Sequence, residues 1–253
     1  MKVFGKTIIF TGSKGGCGQS FTANCIANYL SVKTSYNILM VDMNADSRDS
    51  RTIYDASNEE IMTIADIYSE KKKPSIADMK KIIINFKNSL NYVFPPLRQQ
   101  NKVFSYAFLR YLFRLFADNF DLIIVDCDMF VDFSLKKGSI FDLSDELIIV
   151  SLADKVSVSN LNSMINYFSR SEENLNIKIL INKYNMGPSL SLSNLNSHVR
   201  HPISYFLSYD RDIENLYLTK GPASIFKYNL KPVNDLRQIA ESIIKTIPDT
   251  DNN

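Results

Sequence analysis

Cysteine is scarce in this 253-residue chain: Cys17, Cys25 and Cys127 are an odd number and form no C-x-x-C pair. That argues against a disulfide framework or a thiolate zinc site and fits a reducing compartment. No apolar run approaches the roughly 18 to 20 residues that span a bilayer. The early run "TIIFT" is also too short for a signal-peptide core. Neither sign of charge dominates: 29 Lys and Arg stand against 27 Asp and Glu. No electrostatic footprint therefore points to nucleic acid or an anionic membrane. Linkers rich in Pro, Gly or Ser are missing, as are internal repeats. The biased stretches are "KKKP" at Lys71–Pro74, read as a solvated turn, and the polar tail "DTDNN". With 45% hydrophobic residues, one domain over 1–253 has enough material for one core. A cytoplasmic protein is expected.

Present instead are short β-type runs alternating with helical patterns. The runs are Thr7–Thr11, Asn37–Asp42, Leu90–Phe94, Asp121–Asp126, Glu146–Ser151, Ile177–Asn182 and Ile203–Leu207. Several are continuously apolar, as expected of parallel strands covered on both faces. Over Val103–Ala117 the pattern is helical, with Phe104, Ala107, Phe108, Tyr111, Leu112, Leu115 and Phe116 at three- and four-residue steps. This stripe is read as core packing against a sheet. "PVNDLRQIAESIIKTI" is amphipathic, with Leu236, Ile239, Ala240, Ile243 and Ile244 on a face expected to pack on the core. His198 and His201 are read as surface residues, because no carboxylate or thiol cluster accompanies them and Pro202 closes their segment. The alternation implies an α/β fold, a doubly wound, mostly parallel central sheet flanked by helices.

The richest stretch is "TGSKGGCGQSFTAN", Thr11 to Asn24. It follows the first strand and opens a helix near Gly18, where ligands of open α/β sheets sit. Gly15, Gly16 and Gly18 allow a close backbone approach to phosphate, and the helix N-terminus adds unpaired N–H donors. Ser20 stands where such a loop holds Mg²⁺ with a hydroxyl. Cys17 is read as a small residue at a variable position.

"KGGCGQS" is similar to the deviant phosphate loop K-G-G-x-G-K-[ST] of the ParA/MinD family of ATPases. The likeness extends to "ILMVDMNAD" (second strand and first switch), "FDLIIVDCDMF" (Walker B strand and second switch), "ADKVSVSNL", "KILINK" and "FLSYDRDIENLYLTKGPAS", over roughly Lys6 to Lys245. The resemblance implies a P-loop fold binding ATP or ADP with Mg²⁺ through Ser13, Lys14, Gly15, Gly16, Cys17, Gly18, Gln19, Ser20 and Phe21. Asn182 would contact the adenine base, and Ser20, Asp42 and Asp126 would hold the metal. Lys14 would reach the partner's phosphates across a homodimer. "SLNYVFPPLRQQN" and "GPSLSLSNLNSHVRHPISYFLSYDRDI" resemble the CpaE/TadZ (Flp pilus assembly) and FlhG-like branch. That branch implies protein partners in a polar, pilus or secretion apparatus.

Three positions depart from the family pattern. Gln19 replaces the loop lysine and supplies no charge to the β/γ-phosphates. Asn44 stands for the aspartate that orients the attacking water, and it cannot accept a proton. Asp128 replaces a proline, and Met129–Phe130 replace small residues. Weak or absent hydrolysis is expected, in a positioning or scaffold protein for pilus or flagellar assembly. The alternative is an active ATPase switch for positioning or for chromosome or plasmid partition. Lys14, Ser20, Asp42 and Asp126 keep that alternative open.

Overall fold

The computed structural model describes residues 4–44, 49–56, 60–86, 89–97, 104–128, 139–169, 175–187 and 189–247. Its strands are β1 (Lys6–Gly12), β2 (Ile38–Asp42), β3 (Ile84–Asn85), β4 (Leu90–Val93), β5 (Leu122–Asp126), β6 (Glu146–Leu152), β7 (Ile177–Tyr184) and β8 (Ile203–Ser208). They form one sheet in the order β3-β4-β2-β5-β1-β6-β7-β8. Every pairing is parallel except β3 with β4. The helices are α1 (Gln19–Lys33), α2 (Asp49–Ile53), α3 (Ile64–Ile67), α4 (Ile76–Ile82), α5 (Tyr106–Asn119), α6 (Lys155–Phe168), α7 (Leu192–His198), α8 (Arg211–Lys220) and α9 (Lys231–Ile244).

Alternate residues of each central strand feed two separate cores, which is why the strands read as unbroken apolar runs. Ile9, Leu39, Val41, Ile123, Val125, Ile149 and Ile181 pack with α5 and α6 on one face. Ile8, Phe10, Met40, Ile124, Ile148 and Leu180 pack with α1, α9 and Tyr217 of α8 on the other. Helix α1 is buried continuously from Thr22 to Ser31, because α9 covers it with Val233, Leu236, Ile239, Ala240 and Ile243. The C-terminal amphipathic segment thus packs on the core. No helix among the described residues is long and apolar enough to cross a membrane.

Two expectations shift in detail. The buried face of α5 is Phe108, Leu109, Leu112, Phe113 and Phe116, while Ala107 is exposed. Apolar residues cover more of that helix than one stripe, so spacing alone does not fix which sector meets the sheet. Helix α7 ends at His198, so His201 shares no helix with it; both histidines are exposed or half-exposed and bond locally. Val103, Gln99–Asn101, Ala45 and Asp46 of the first-switch segment, Met129–Phe130 and the "DTDNN" tail lie outside the described residues.

Candidate functional site

Strand β1 lies between β5 and β6, and the loop after it crosses the carboxyl ends of all three. Ser13 N–H donates to the Val150 carbonyl at 2.8 Å, and Ser13 Oγ donates to Ser151 Oγ at 3.0 Å. Gly16 and Gly18 take φ of 78° and 89°, left-handed values that disfavour any side chain. Helices α3 to α8 each have a Ser, Thr or Asp side chain capping their first turn. Helix α1, with Gly18 at its N-cap position, has no such cap, and neither has α9. The first-turn N–H groups and positive dipole end of α1 therefore suit an anion. Cys17 is fully buried among apolar residues, its Sγ 3.4 Å from Ser13 Oγ, as a small packed residue would be. Gln19 folds back over the end of β1: a Cβ at Gly12 would meet Gln19 Oε1 at 2.6 Å.

Beneath the loop lie two carboxylates. Asp42 and Asp126 are register partners across β2 and β5, and Asp126 also pairs with Phe10 of β1. Both are buried, and Asp126 is fully so. Neither Asp126 oxygen has a hydrogen-bond partner, nor do the buried Thr11 Oγ1, Asn44 Oδ1 and Ser50 Oγ. Burial raises the Asp126 pKa; the approach of Ser20 and Asn44 side chains offsets part of this, and Asp128 repels further. Burial raises Asp42 as well, followed by the charge of Asp126, against relief from Ser50 and the Asn44 N–H. That N–H donates to Asp42 Oδ1 at 2.9 Å.

These orphaned oxygens beside the Ser20 hydroxyl fit a magnesium ion that water and phosphate oxygens complete. Among the described residues no group of three or more His, Cys, Asp or Glu could cage a metal by itself.

Lys14 Nζ lies 3.0 Å from Asp154 Oδ2, with the two side chains 33% and 38% exposed. Asp154 also caps α6 by accepting from Ser157 N–H at 2.9 Å. Burial alone would raise its pKa, but Ser157 and Lys14 together hold it below the ordinary range. An ion pair this exposed is worth at most about 1 kcal/mol. A phosphate can displace it.

A cavity of about 330 Å³ adjoins the loop, lined by Gly18, Phe21, Asn182, Lys183, Tyr209, Ile213, Glu214, Tyr217 and Pro232, among others. Its size and largely apolar wall suit a nucleobase. Phe21 and Tyr217 meet edge to face at 4.9 Å, and Lys183 pairs with Glu214 at 2.6 Å. Asn182, expected at the base, lines this cavity, and its Nδ2 also donates to the Cys17 carbonyl at 2.8 Å. The fold therefore gathers Ser13 to Phe21, Asp42, Asn44, Asp126, Asp128 and Asn182 at one crevice.

A family model described as an AAA domain matches residues 5–181. The chain belongs to this family. Among solved structures it shares the ParA/MinD fold. A ParA family ATPase from Chlorobium tepidum TLS aligns with TM-score 0.77 and 19% identity, over 93% of this chain and 98% of that one. The septum site-determining protein MinD from Pyrococcus horikoshii OT3, complexed with Mg-ADP, aligns with TM-score 0.78 and 15% identity, over 97% and 99%. A plasmid partition protein from Borrelia burgdorferi B31, bound to AMPPNP, aligns with TM-score 0.72 and 22% identity, over 96% and 100%. No curated protein matches the sequence.

Sequence reasoning missed Asp154, Lys183, Glu214 and Tyr217 as individual site residues. Asp154 carried a readable signal: an aspartate three residues before a serine at a helix start, in "DKVS".

Proposed function

We propose that this AAA-domain chain is a single-domain, nucleotide-binding protein that dimerises around ATP or ADP and Mg²⁺ and turns nucleotide over weakly or not at all. In this reading it is a positioning or scaffold factor for pilus or flagellar assembly. The observation that carries it is the uncapped, left-handed glycine loop seated over Asp126, whose two buried oxygens have no partner.

Each residue then has a chemical task. Backbone N–H groups of the loop that follows Ser13, up to Ser20, hold the phosphates. Ser20 Oγ, and Asp126 through water, hold the ion; when bound, magnesium neutralises phosphate charge. Gln19 donates a hydrogen bond without charge. A missing well-placed donor of that kind lowers rate by about 10² to 10³. Asn44 orients water but takes no proton from it. Lys14, released from Asp154, supplies positive charge to the phosphates of a second copy. Phe21, Tyr217 and Lys183 enclose the base.

Support for protein partners comes from the MinC:MinD cell division complex of Aquifex aeolicus, which this fold matches with TM-score 0.77 at 16% identity. The reading puts the protein in the cytoplasm, reaching a pole or the inner membrane face through such partners. The test is calorimetric titration with ATP and Mg²⁺, with light scattering on the same samples. Binding accompanied by a doubling of mass supports the proposal, and a monomer at saturating ATP refutes its dimer.

The likeness to the Borrelia partition protein, with Lys14, Ser20, Asp42 and Asp126 all retained, favours a second reading: an active ATPase switch for partition. Clear turnover with salt-dependent retention of DNA would favour it over the first.

A further inference from the structure

Asn182 joins the end of β7 to the phosphate loop, and both ends of its amide are committed. Nδ2 donates to the Cys17 carbonyl at 2.8 Å, and Oδ1 accepts from the Lys183 N–H at 2.7 Å. Turning the amide over would set oxygen against carbonyl and NH₂ against N–H, so the partners fix its orientation. The side chain is 4% exposed, where a lost hydrogen bond is felt in full.

Contact continues at the next residue. A Cβ on Gly18 would lie 2.2 Å from Asn182 Nδ2, and Gly18 sits at φ 89°. Glycine is therefore required there for conformation and for the approach of Asn182. The peptide joining Cys17 to Gly18 is planar and trans, so its C=O and N–H point to opposite sides. Holding that carbonyl toward Asn182 aims the Gly18 N–H the other way, away from β7.

We propose that Asn182 is a positioning residue for the phosphate loop: its amide clamps the Cys17–Gly18 peptide and so sets the loop's donors before any anion arrives. Its contact with the base cavity is then secondary. The inference rests on the phosphate-loop reading above and adds a loop-setting role to the base contact expected of Asn182.

The test compares wild type with Asn182→Ala and Asn182→Asp in the full chain. Asn182→Asp keeps the acceptor for Lys183 and removes the donor to Cys17. In nucleotide-free protein, hydrogen exchange of the 13–20 peptide should quicken about fivefold or more in both variants, while β1 and β6 exchange as in wild type. With Mg²⁺ present, affinities for ATP and for inorganic tripolyphosphate should fall by the same factor, about tenfold, leaving their ratio unchanged. Loss confined to ATP, with tripolyphosphate binding intact, would make Asn182 a base reader and overturn the proposal. Unchanged loop exchange in both variants would overturn it too. If wild type bound neither ligand, the nucleotide reading would fail, and the exchange measurement would still decide the clamp.

Discussion

In the proposed reading, the two ends of the crevice would hold a nucleotide by different means. The phosphate end would offer backbone N–H groups on left-handed glycines, with buried carboxylates beneath them. The base end would offer side chains: Phe21, Tyr217 and the Lys183–Glu214 pair around a cavity of about 330 Å³. All three departures from the family pattern, Gln19, Asn44 and Asp128, fall at the phosphate end. They change charge and proton capacity and leave the backbone donors in place. On that reading, side-chain substitution would remove chemistry from the phosphate end without removing its affinity. The base end has no such backbone reserve.

The largest effect that would sharpen this contrast is a gain. Gln19→Lys should raise phosphate release about 10²-fold or more by restoring charge in the loop. Next comes a loss confined to the other end. Tyr217→Ala should weaken ATP about tenfold and leave tripolyphosphate binding at the wild-type value, as competition titrations would read; equal losses for both ligands would erase the distinction between the ends.

A smaller effect concerns the carboxylates. Burial, and for Asp42 the neighbouring Asp126, raises both folded-state pKa values. Between the ordinary carboxylate value near about 4 and those raised values, the folded state binds more protons than the unfolded one. The stability that these two groups contribute to the nucleotide-free protein is then fullest below about pH 4 and is lost as pH rises through the folded values. Asp126→Asn should flatten that decline, raise the melting temperature at pH 8 by about 3 °C or more, and abolish the extra stabilisation by Mg²⁺ with ATP. Melting curves across pH would check all three.

Smallest is Asp154→Asn, which removes the charge and keeps an oxygen to cap α6. Its pair with Lys14 is one-third exposed, so stability should change by less than about 1 kcal/mol. ATP-driven dimerisation should persist, read by light scattering, because Lys14 is released rather than removed.

Most of the scaffold was legible in the sequence because of where the strands sit. A strand buried on both faces must be apolar throughout, and "DLIIVD" or "ELIIVS" shows that without any partner in view. The two-residue β3, Ile84–Asn85, at the sheet edge buries too little to leave a pattern. The glycine loop was legible for a related reason, since the left-handed φ of Gly16 and Gly18 restricts the residue type at those two positions. Partnerships between distant side chains were not. Lys14 and Asp154 are 140 positions apart, and nothing local in either segment encodes the other. Asn182 was readable as a site residue only through family resemblance, which assigned it the base, while its bond to the Cys17 carbonyl came from the fold.

The measurement that tests the central claim most directly is phosphate release from the full-length protein at saturating ATP and Mg²⁺ over hours, beside a Lys14→Ala, Ser20→Ala control. The account predicts binding with no release above that control. Sustained release that the control abolishes would contradict it, and would mean that Lys14 covers the charge Gln19 lacks.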